Sequence, residues 1–277
     1  SMRSTAFRTA LAAGAALAAT ACAGNREEVA YVERPVETIY NEALVRLDRN
    51  NWDQAAAQFD EVQRQHPYSP WAQRAMLMSA YAHYRSRDYE KAISSAQEYI
   101  SLHPGGDGAP YAYYLLAICQ FDQIIDVGRD QARSDLALLA LNEVTARFPE
   151  SDYARDASLK TDMVMDQLAG KEMEVGRYYL LRGEHLAAIN RFRTVVTEYQ
   201  STTHVPEALH RLVESYLSIG LIGQAQQTAA VLGHNYPGSN WYSDSYALMQ
   251  GQGVELPAPP DAKAGFNLFD RIGKLVF

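Results

Sequence analysis

Five stretches of the chain repeat one spacing of apolar and small residues. Each stretch opens at an anchor residue, carries an alanine three positions later, and has an apolar or small residue at plus seven and again at plus ten. The anchors are Trp52, Tyr89, Ser134, His185 and Ile222. A spacing of three, four and three places such side chains on one face of an α-helix. Each anchor therefore predicts the start of an amphipathic helix.

A helix stop follows every anchor at plus fifteen. Four of these positions are prolines, namely Pro67, Pro104, Pro149 and Pro237, and the fourth stretch has Gln200 instead. A proline cannot continue a helix, so each stretch predicts one helix of about four turns. The stops recur at intervals somewhat longer than the ~34 residues of a tetratricopeptide unit. The pattern predicts an all-α fold, a right-handed tetratricopeptide (TPR) solenoid of five repeats.

The repeats define a solenoid over residues 37–250. We divide it into N-terminal repeats at 37–110, a third repeat at 111–150 with a long connector from Asp122 to Ser134, and a C-terminal part at 151–250. Within the C-terminal part, the proline-free pattern from Asp152 to Leu181 predicts one long helix that joins two groups of repeats rigidly. Residues Trp241 to Gln250 predict a capping helix, because the last repeat of a solenoid must cover an open apolar end.

The N-terminus differs from the repeats. Arg3 and Arg8 precede an alanine-rich apolar run that is too short to span a bilayer, and Ala21-Cys22 ends a stretch of small residues. We interpret residues 1–21 as a signal peptide, Cys22 as an acylated lipoprotein cysteine, and residues 22–36 as a lipidated tether. Secretion without a lipid anchor is the alternative. By resemblance to other lipoproteins, Ala23 after the cysteine implies sorting to the outer membrane.

The C-terminus also differs from the repeats. Residues 251–277 combine a proline- and glycine-rich linker with a short amphipathic pattern that contains Phe266, Phe269, Ile272 and Val276. A helix of this length is marginal alone in water, so it is expected to fold against the solenoid, a partner subunit or the membrane surface.

Charge and cysteine content narrow the possible functions. The chain has 25 Lys and Arg against 33 Asp and Glu, a formal net charge of −8, which argues against nucleic acid as the main partner. Only Cys22 and Cys119 are present. With Cys22 acylated, Cys119 has no disulfide partner, and its apolar surroundings predict a buried structural thiol.

No spacing typical of a catalytic, cofactor or metal site occurs in the sequence, so we expect no enzyme activity, no cofactor and no metal. The aspartates on the long helical pattern are explained by a solvated helix face.

A solenoid offers a concave surface on which an extended peptide can bind. The 18 tyrosines cluster near repeat ends, where they could pack between helices or contact such a peptide. In the fourth repeat, Arg191 is either on a solvated flank or an ion-pair donor at an interface.

Five motifs, taken in order, resemble the BamD family, the TPR lipoproteins of the bacterial outer-membrane β-barrel assembly (BAM) machinery. Beyond the acylated-cysteine leader they are Glu37-Thr38-Ile39-Tyr40, Asn51-Trp52-Asp53-Gln54-Ala55, His66-Pro67-Tyr68-Ser69-Pro70-Trp71, Phe148-Pro149-Glu150-Ser151-Asp152-Tyr153, and Tyr178-Tyr179 through Asn190-Arg191. The likeness covers roughly residues 20–245.

The resemblance implies a scaffold without catalysis, anchored by lipid in the outer membrane and facing the periplasm. Its partners would be BamA, the other BAM lipoproteins and unfolded outer-membrane proteins. Arg191 and Asn190 would bind BamA, and Tyr40, Tyr68 and Trp71 would border the pocket for the client peptide.

Two other functions remain possible from the residues alone. One is a periplasmic TPR lipoprotein that coordinates cell-wall synthesis, which would co-purify with peptidoglycan synthases and not with BamA. The other is a lytic transglycosylase, but no segment outside the repeats is long enough to form the compact catalytic domain that this requires.

Overall fold

The repeat region folds as a series of antiparallel helix pairs. The computed structural model describes residues 33–124 and 131–254, and these residues contain eleven α-helices and no strand. The helices lie in one structural unit that begins at Val36. They are α1 (Val36–Asp48), α2 (Trp52–Gln65), α3 (Pro70–Arg85), α4 (Tyr89–Leu102), α5 (Ala109–Asp122), α6 (Gln131–Arg147), α7 (Asp152–Leu181), α8 (His185–Glu198), α9 (Val205–Ser218), α10 (Ile222–Asn235) and α11 (Asn240–Gly251).

Each helix packs against the next one along the chain. The odd-numbered helices from α1 to α7 also contact one another in sequence, as do α9 and α11, whereas the even-numbered helices have no comparable mutual contact. The odd-numbered helices therefore form the inner side of the stack. This arrangement confirms the predicted all-α tetratricopeptide fold.

The repeated apolar positions form the core. Every side chain at plus three, plus seven and plus ten in all five stretches is buried, and Tyr99 is the most exposed of them at 2%. The largest of those with no exposed surface are Phe59 in the first repeat and Phe192 in the fourth. Phe192 packs against Gly176 of α7, where a Cβ atom would lie only 2.5 Å from the ring. The small residues at these positions let neighbouring helices approach closely.

The predicted helix starts are correct in four repeats and wrong in the third. Trp52, Tyr89, His185 and Ile222 are first residues of helices, but α6 is already helical at Gln131, so Ser134 lies inside it. The third connector is correspondingly shorter than predicted. The buried Ser134 side chain sits on the same helix face as Ala137 and Leu141, so the repeat pattern located the face of the helix but not its start.

All five helix stops have the same local structure. Each helix ends two residues before the plus-fifteen position. The residue just before that position then accepts a hydrogen bond from the backbone N–H three residues further on, as in Ser69 to His66 (3.1 Å) and Thr202 to Tyr199 (3.1 Å). Gln200 therefore occupies the same position in the same type of turn as each of the four prolines.

The long helix and the capping helix are confirmed. Helix α7 is 30 residues long and has the bounds predicted for it. Its first half packs with α5 and α6, and its second half packs with α8 and α9. Helix α11 follows the fifth repeat and covers α9 and α10.

Several predictions concern the ends of the chain. The signal peptide at 1–21, the acylation of Cys22, most of the tether, and the tail beyond Val254 lie outside them. The first helix begins at Val36, one residue earlier than predicted.

Cys119 is buried and free, as predicted. Burial, together with the nearby Asp122 carboxylate, raises the pKa of its thiol to about 12.

Candidate functional site

The residues predicted to border a client pocket lie at the first turn between repeats. The ring centroids of Tyr40 on α1 and Trp71 on α3 are 4.9 Å apart, and those of Tyr40 and Phe59 are 5.3 Å apart in an edge-to-face arrangement. Tyr40 is 9% exposed, whereas Tyr68 is fully exposed at 100%. The structure therefore joins Tyr40 and Trp71 in one packed pair and leaves Tyr68 on the surface three residues before Trp71.

Local sequence fixes this turn. The Ser69 hydroxyl caps α3 by accepting a hydrogen bond from the Ala72 N–H (3.3 Å), and Pro70 occupies the first helical position. Trp71 therefore sits in the first turn of α3 and points toward α1, and Tyr68 falls outside the helix.

A positive charge borders the aromatic pair. The Arg74 guanidinium lies 6.0 Å from the centre of the Trp71 ring. Burial raises the pKa of the Tyr40 hydroxyl, and Arg74 opposes that shift. Sequence reasoning missed Arg74, although its position one turn after Trp71 could have suggested it. The site combines an exposed aromatic ring, a half-buried one and a cation, which suits an apolar peptide that also presents a hydrogen-bond acceptor.

Further along the inner side, five tyrosines come together. They are Tyr81, Tyr84, Tyr111, Tyr114 and Tyr153, on α3, α5 and α7. The Tyr84 hydroxyl donates to Asp122 (2.7 Å), and the Tyr114 hydroxyl donates to Asp156 (2.6 Å). Burial, followed by these carboxylates, raises the pKa of both hydroxyls. These tyrosines thus pack between helices, with two hydroxyls held by acids that sequence alone did not pair with them.

A shallow groove on α1 and α2 was also missed by sequence reasoning. It has a volume of about 560 Å³ and contains the side chains of Asn41, Arg46, Arg49 and Asn51. Arg46 donates to Gln54 across it (2.8 Å). Tyr40, Tyr68 and Trp71 do not line this groove, so it is separate from the aromatic pair.

The residues predicted to bind BamA lie on α8. Arg191 Nη1 donates to both carboxylate oxygens of Glu172 on α7, at 3.1 and 3.4 Å. The Arg191 side chain is 44% exposed, and that of Glu172 is 16% exposed. Asn190 is exposed on the neighbouring position. Arg191 therefore forms an ion pair within the chain while nearly half of its side chain stays exposed, and its place at an interface with another protein stays a prediction.

An apolar groove lies on the first half of α7. It has a volume of about 660 Å³ and is lined by Leu159 and Met163 together with the turn between α8 and α9. Leu159 is 64% exposed and Met163 52%. The sequence pattern did not separate these residues from the core face of the long helix.

The described residues lack two features that would indicate other chemistry. Across residues 33–124 and 131–254, no group of three or more His, Cys, Asp or Glu side chains is arranged to hold a metal ion. In the same ranges, no helix combines the length and the apolar character needed to cross a membrane.

The chain is similar to proteins of one family along most of its length. Residues 32–250 match the family YfiO, described as outer membrane lipoprotein. The outer membrane protein assembly factor BamD of Caulobacter vibrioides is 52% identical over 255 residues, covering 91% of this chain and 83% of that protein. BamD of Rickettsia prowazekii is 44% identical over 216 residues, covering 78% of this chain and 86% of that protein.

Solved structures share only the general arrangement of helices. A thermophilic TPR protein of Thermus thermophilus is 17% identical with a TM-score of 0.36, covering 78% of this chain and 99% of its own. PilW, a type IV pilus biogenesis factor, is 16% identical with a TM-score of 0.35, covering 76% of this chain and 97% of its own. At these TM-scores the likeness supports no functional conclusion.

Proposed function

The chain belongs to the YfiO family of outer membrane lipoproteins and is a relative of the BamD assembly factors, and on this basis we propose that it is a non-catalytic scaffold that docks on BamA and receives unfolded clients. It functions in the assembly of outer membrane proteins as part of the BAM complex. Its proposed position is the periplasmic face of the outer membrane, held there by acyl chains on Cys22.

The full exposure of Tyr68 is the observation that carries the client-binding part of the proposal. Tyrosine offers a large apolar contact area together with a polar tip, and aromatic residues dominate the energetics of peptide interfaces. Tyr68 lies in a turn fixed by Ser69 and Pro70, next to Trp71 and Arg74. A client strand with aromatic side chains would gain contact area there at little cost in ordering the protein.

Docking on BamA is proposed to use Arg191, with Asn190 beside it. Arg191 belongs to the fourth repeat, so docking and client reception would occupy opposite ends of the repeat series. A half-exposed arginine already held in place is suited to hydrogen bonds with acceptors on another protein. A scaffold role without catalysis is consistent with the hydrogen bonds of Tyr84 and Tyr114, whose hydroxyls with raised pKa values donate to Asp122 and Asp156 between packed helices.

The client site is tested by Tyr68→Ala in the full chain. We expect the affinity for a synthetic peptide that ends in an aromatic barrel-type strand to fall about 5- to 30-fold, because truncating an interface aromatic removes roughly 1–2 kcal/mol. The melting temperature should stay unchanged, since Tyr68 packs against nothing that is buried. Binding is measured by fluorescence anisotropy of the labelled peptide.

The matched control is Leu181→Ala. Leu181 is similarly exposed, at 89%, but lies at the α7–α8 turn, and its replacement should leave peptide affinity unchanged. Equal affinities for the wild type and Tyr68→Ala would remove the turn from the client site. Co-purification with peptidoglycan synthases in place of BamA would instead favour a role in cell-wall synthesis.

A further inference from the structure

The Arg191 guanidinium is held through one nitrogen only. Nη1 donates to both oxygens of the Glu172 carboxylate, and neither Nε nor Nη2 makes a hydrogen bond to any residue of the described ranges. An arginine has five N–H donors in a planar fork. The Nη1 side of the guanidinium is therefore fixed by Glu172, and the N–H groups of Nε and Nη2 stay available for another molecule.

Glu172 is well placed to hold that orientation. Its side chain is only 16% exposed, so its charge is largely withdrawn from water and requires a cationic partner. It lies on α7, and Arg191 lies on α8. These two helices are locked together where Phe192, the residue after Arg191, packs against Gly176. The position of the Glu172 backbone relative to α8 is thus set by the core.

Several acids lie near Arg191 along the chain or in space, and Glu172 is the one that pairs with it. The Glu172 carboxylate also acts on the nearby Tyr199 hydroxyl, whose pKa is raised by burial first and then by Glu172, Asp135 and Glu198. Of these three acids, Glu172 alone is within ion-pair distance of the Arg191 guanidinium. Glu174, two residues along α7, is exposed and has no contact with Arg191.

We propose that Glu172 is a positioning residue for docking, which presents the free edge of the Arg191 guanidinium to hydrogen-bond acceptors on the docked subunit. This inference rests on the proposed role of Arg191. An arginine that is fixed before binding loses less conformational freedom on binding, and a planar fork must be oriented to bind acceptors in pairs. The pair Glu172–Arg191 would therefore act in docking as a unit, although only Arg191 touches the partner.

The test compares four variants of the full chain in detergent: Glu172→Gln, Arg191→Leu, the double variant, and the control Glu174→Gln. Binding to the purified periplasmic domains of BamA is followed by surface plasmon resonance, and stability by thermal melting. We expect Glu172→Gln to weaken binding about 3- to 10-fold through faster dissociation, since glutamine keeps the shape but loses the charge that holds Arg191. Glu174→Gln should bind like the wild type.

The double variant separates positioning from a structural role. If Glu172 acts through Arg191, Glu172→Gln should cause no further loss of binding in the Arg191→Leu background. A purely structural role would lower the melting temperature and would weaken binding equally in both backgrounds.

The two proposals can fail separately. If Arg191→Leu binds normally, the docking role of Arg191 is wrong. If Arg191→Leu binds weakly while Glu172→Gln binds as well as or better than the wild type, docking at Arg191 stands and the positioning role of Glu172 is overturned.

Discussion

At the scale of single residues, His210 is the buried ionisable side chain that connects the capping helix to the last repeat. It is 8% exposed. Its Nδ1 lies 2.8 Å from the Ser245 hydroxyl oxygen on α11, and its ring centre lies 5.3 Å from that of Trp241. Burial lowers the pKa of His210, Arg211 lowers it further, and the carboxylates of Glu214, Asp244 and Glu207 partly oppose both.

The cap is therefore expected to weaken as the pH falls. Because the pKa of His210 is lower in the folded protein, the unfolded chain takes up the proton first, and stability that is complete above the unfolded pKa of ~6.5 is lost as the pH drops below it. We expect the melting temperature to fall by ~2–4 °C more between pH 7 and pH 5 in the wild type than in His210→Gln. The control is His234→Gln on α10, which should keep the wild-type pH dependence. Parallel pH profiles for His210→Gln and the wild type would contradict the assignment.

Individual core positions were predictable from the sequence, but long-range pairs were not. All fifteen repeat positions are buried as predicted, because helix periodicity alone decides which face turns inward. Glu172 and Arg191 are 19 residues apart, and His210 and Ser245 are 35 residues apart. Such pairs depend on how neighbouring helices are aligned, which periodicity does not specify. For the same reason the acids that hold Tyr84 and Tyr114 could not be identified beforehand.

At the scale of the elements, the helix stop is a property of the turn and not of proline. Helix α8 ends at Glu198 and its turn contains Gln200, with the same hydrogen bond as the four proline turns. The sequence predicted this stop from its spacing alone. The spacing misplaced the helix start at Ser134. The third repeat has the buried positions of the pattern, but additional helical residues come before them.

Gln200→Pro should consequently be tolerated. The backbone N–H of Gln200 makes no backbone hydrogen bond within the described part of the chain, so proline removes none, and proline restricts the unfolded chain. We expect the free energy of unfolding in urea to stay the same or rise by up to ~1 kcal/mol. Thr197→Pro, inside the last turn of α8, is the contrasting variant and should lose ~3 kcal/mol or more. A clear loss of stability in Gln200→Pro would show that this turn differs from the other four.

At the scale of the whole molecule, α7 belongs to two groups of repeats. Its first half shares a core with α5 and α6 through Ala157, and its second half shares a core with α8 and α9 through Met173. Gln167 lies between these halves and is exposed. A break there would separate the two cores without removing a buried side chain from either.

We expect Gln167→Pro to uncouple the two groups of repeats. Proline removes a helical hydrogen bond and clashes with the carbonyl of Met163, at a cost of ~3 kcal/mol or more, so unfolding should change from one transition to two. Differential scanning calorimetry measures this, and Gln167→Ala should unfold in one transition near the wild-type midpoint. A single, unshifted transition in Gln167→Pro would mean that continuity of α7 does not couple the groups.

The order in which the helices pack bears on how the chain folds. Among the described helices, every substantial contact joins elements that are one or two positions apart along the chain, so we expect a low contact order and rapid folding. Early repeats are therefore expected to acquire their structure while later ones are still being synthesised. A member of an outer membrane assembly complex that folds in this way is expected to spend little time as an unfolded chain itself.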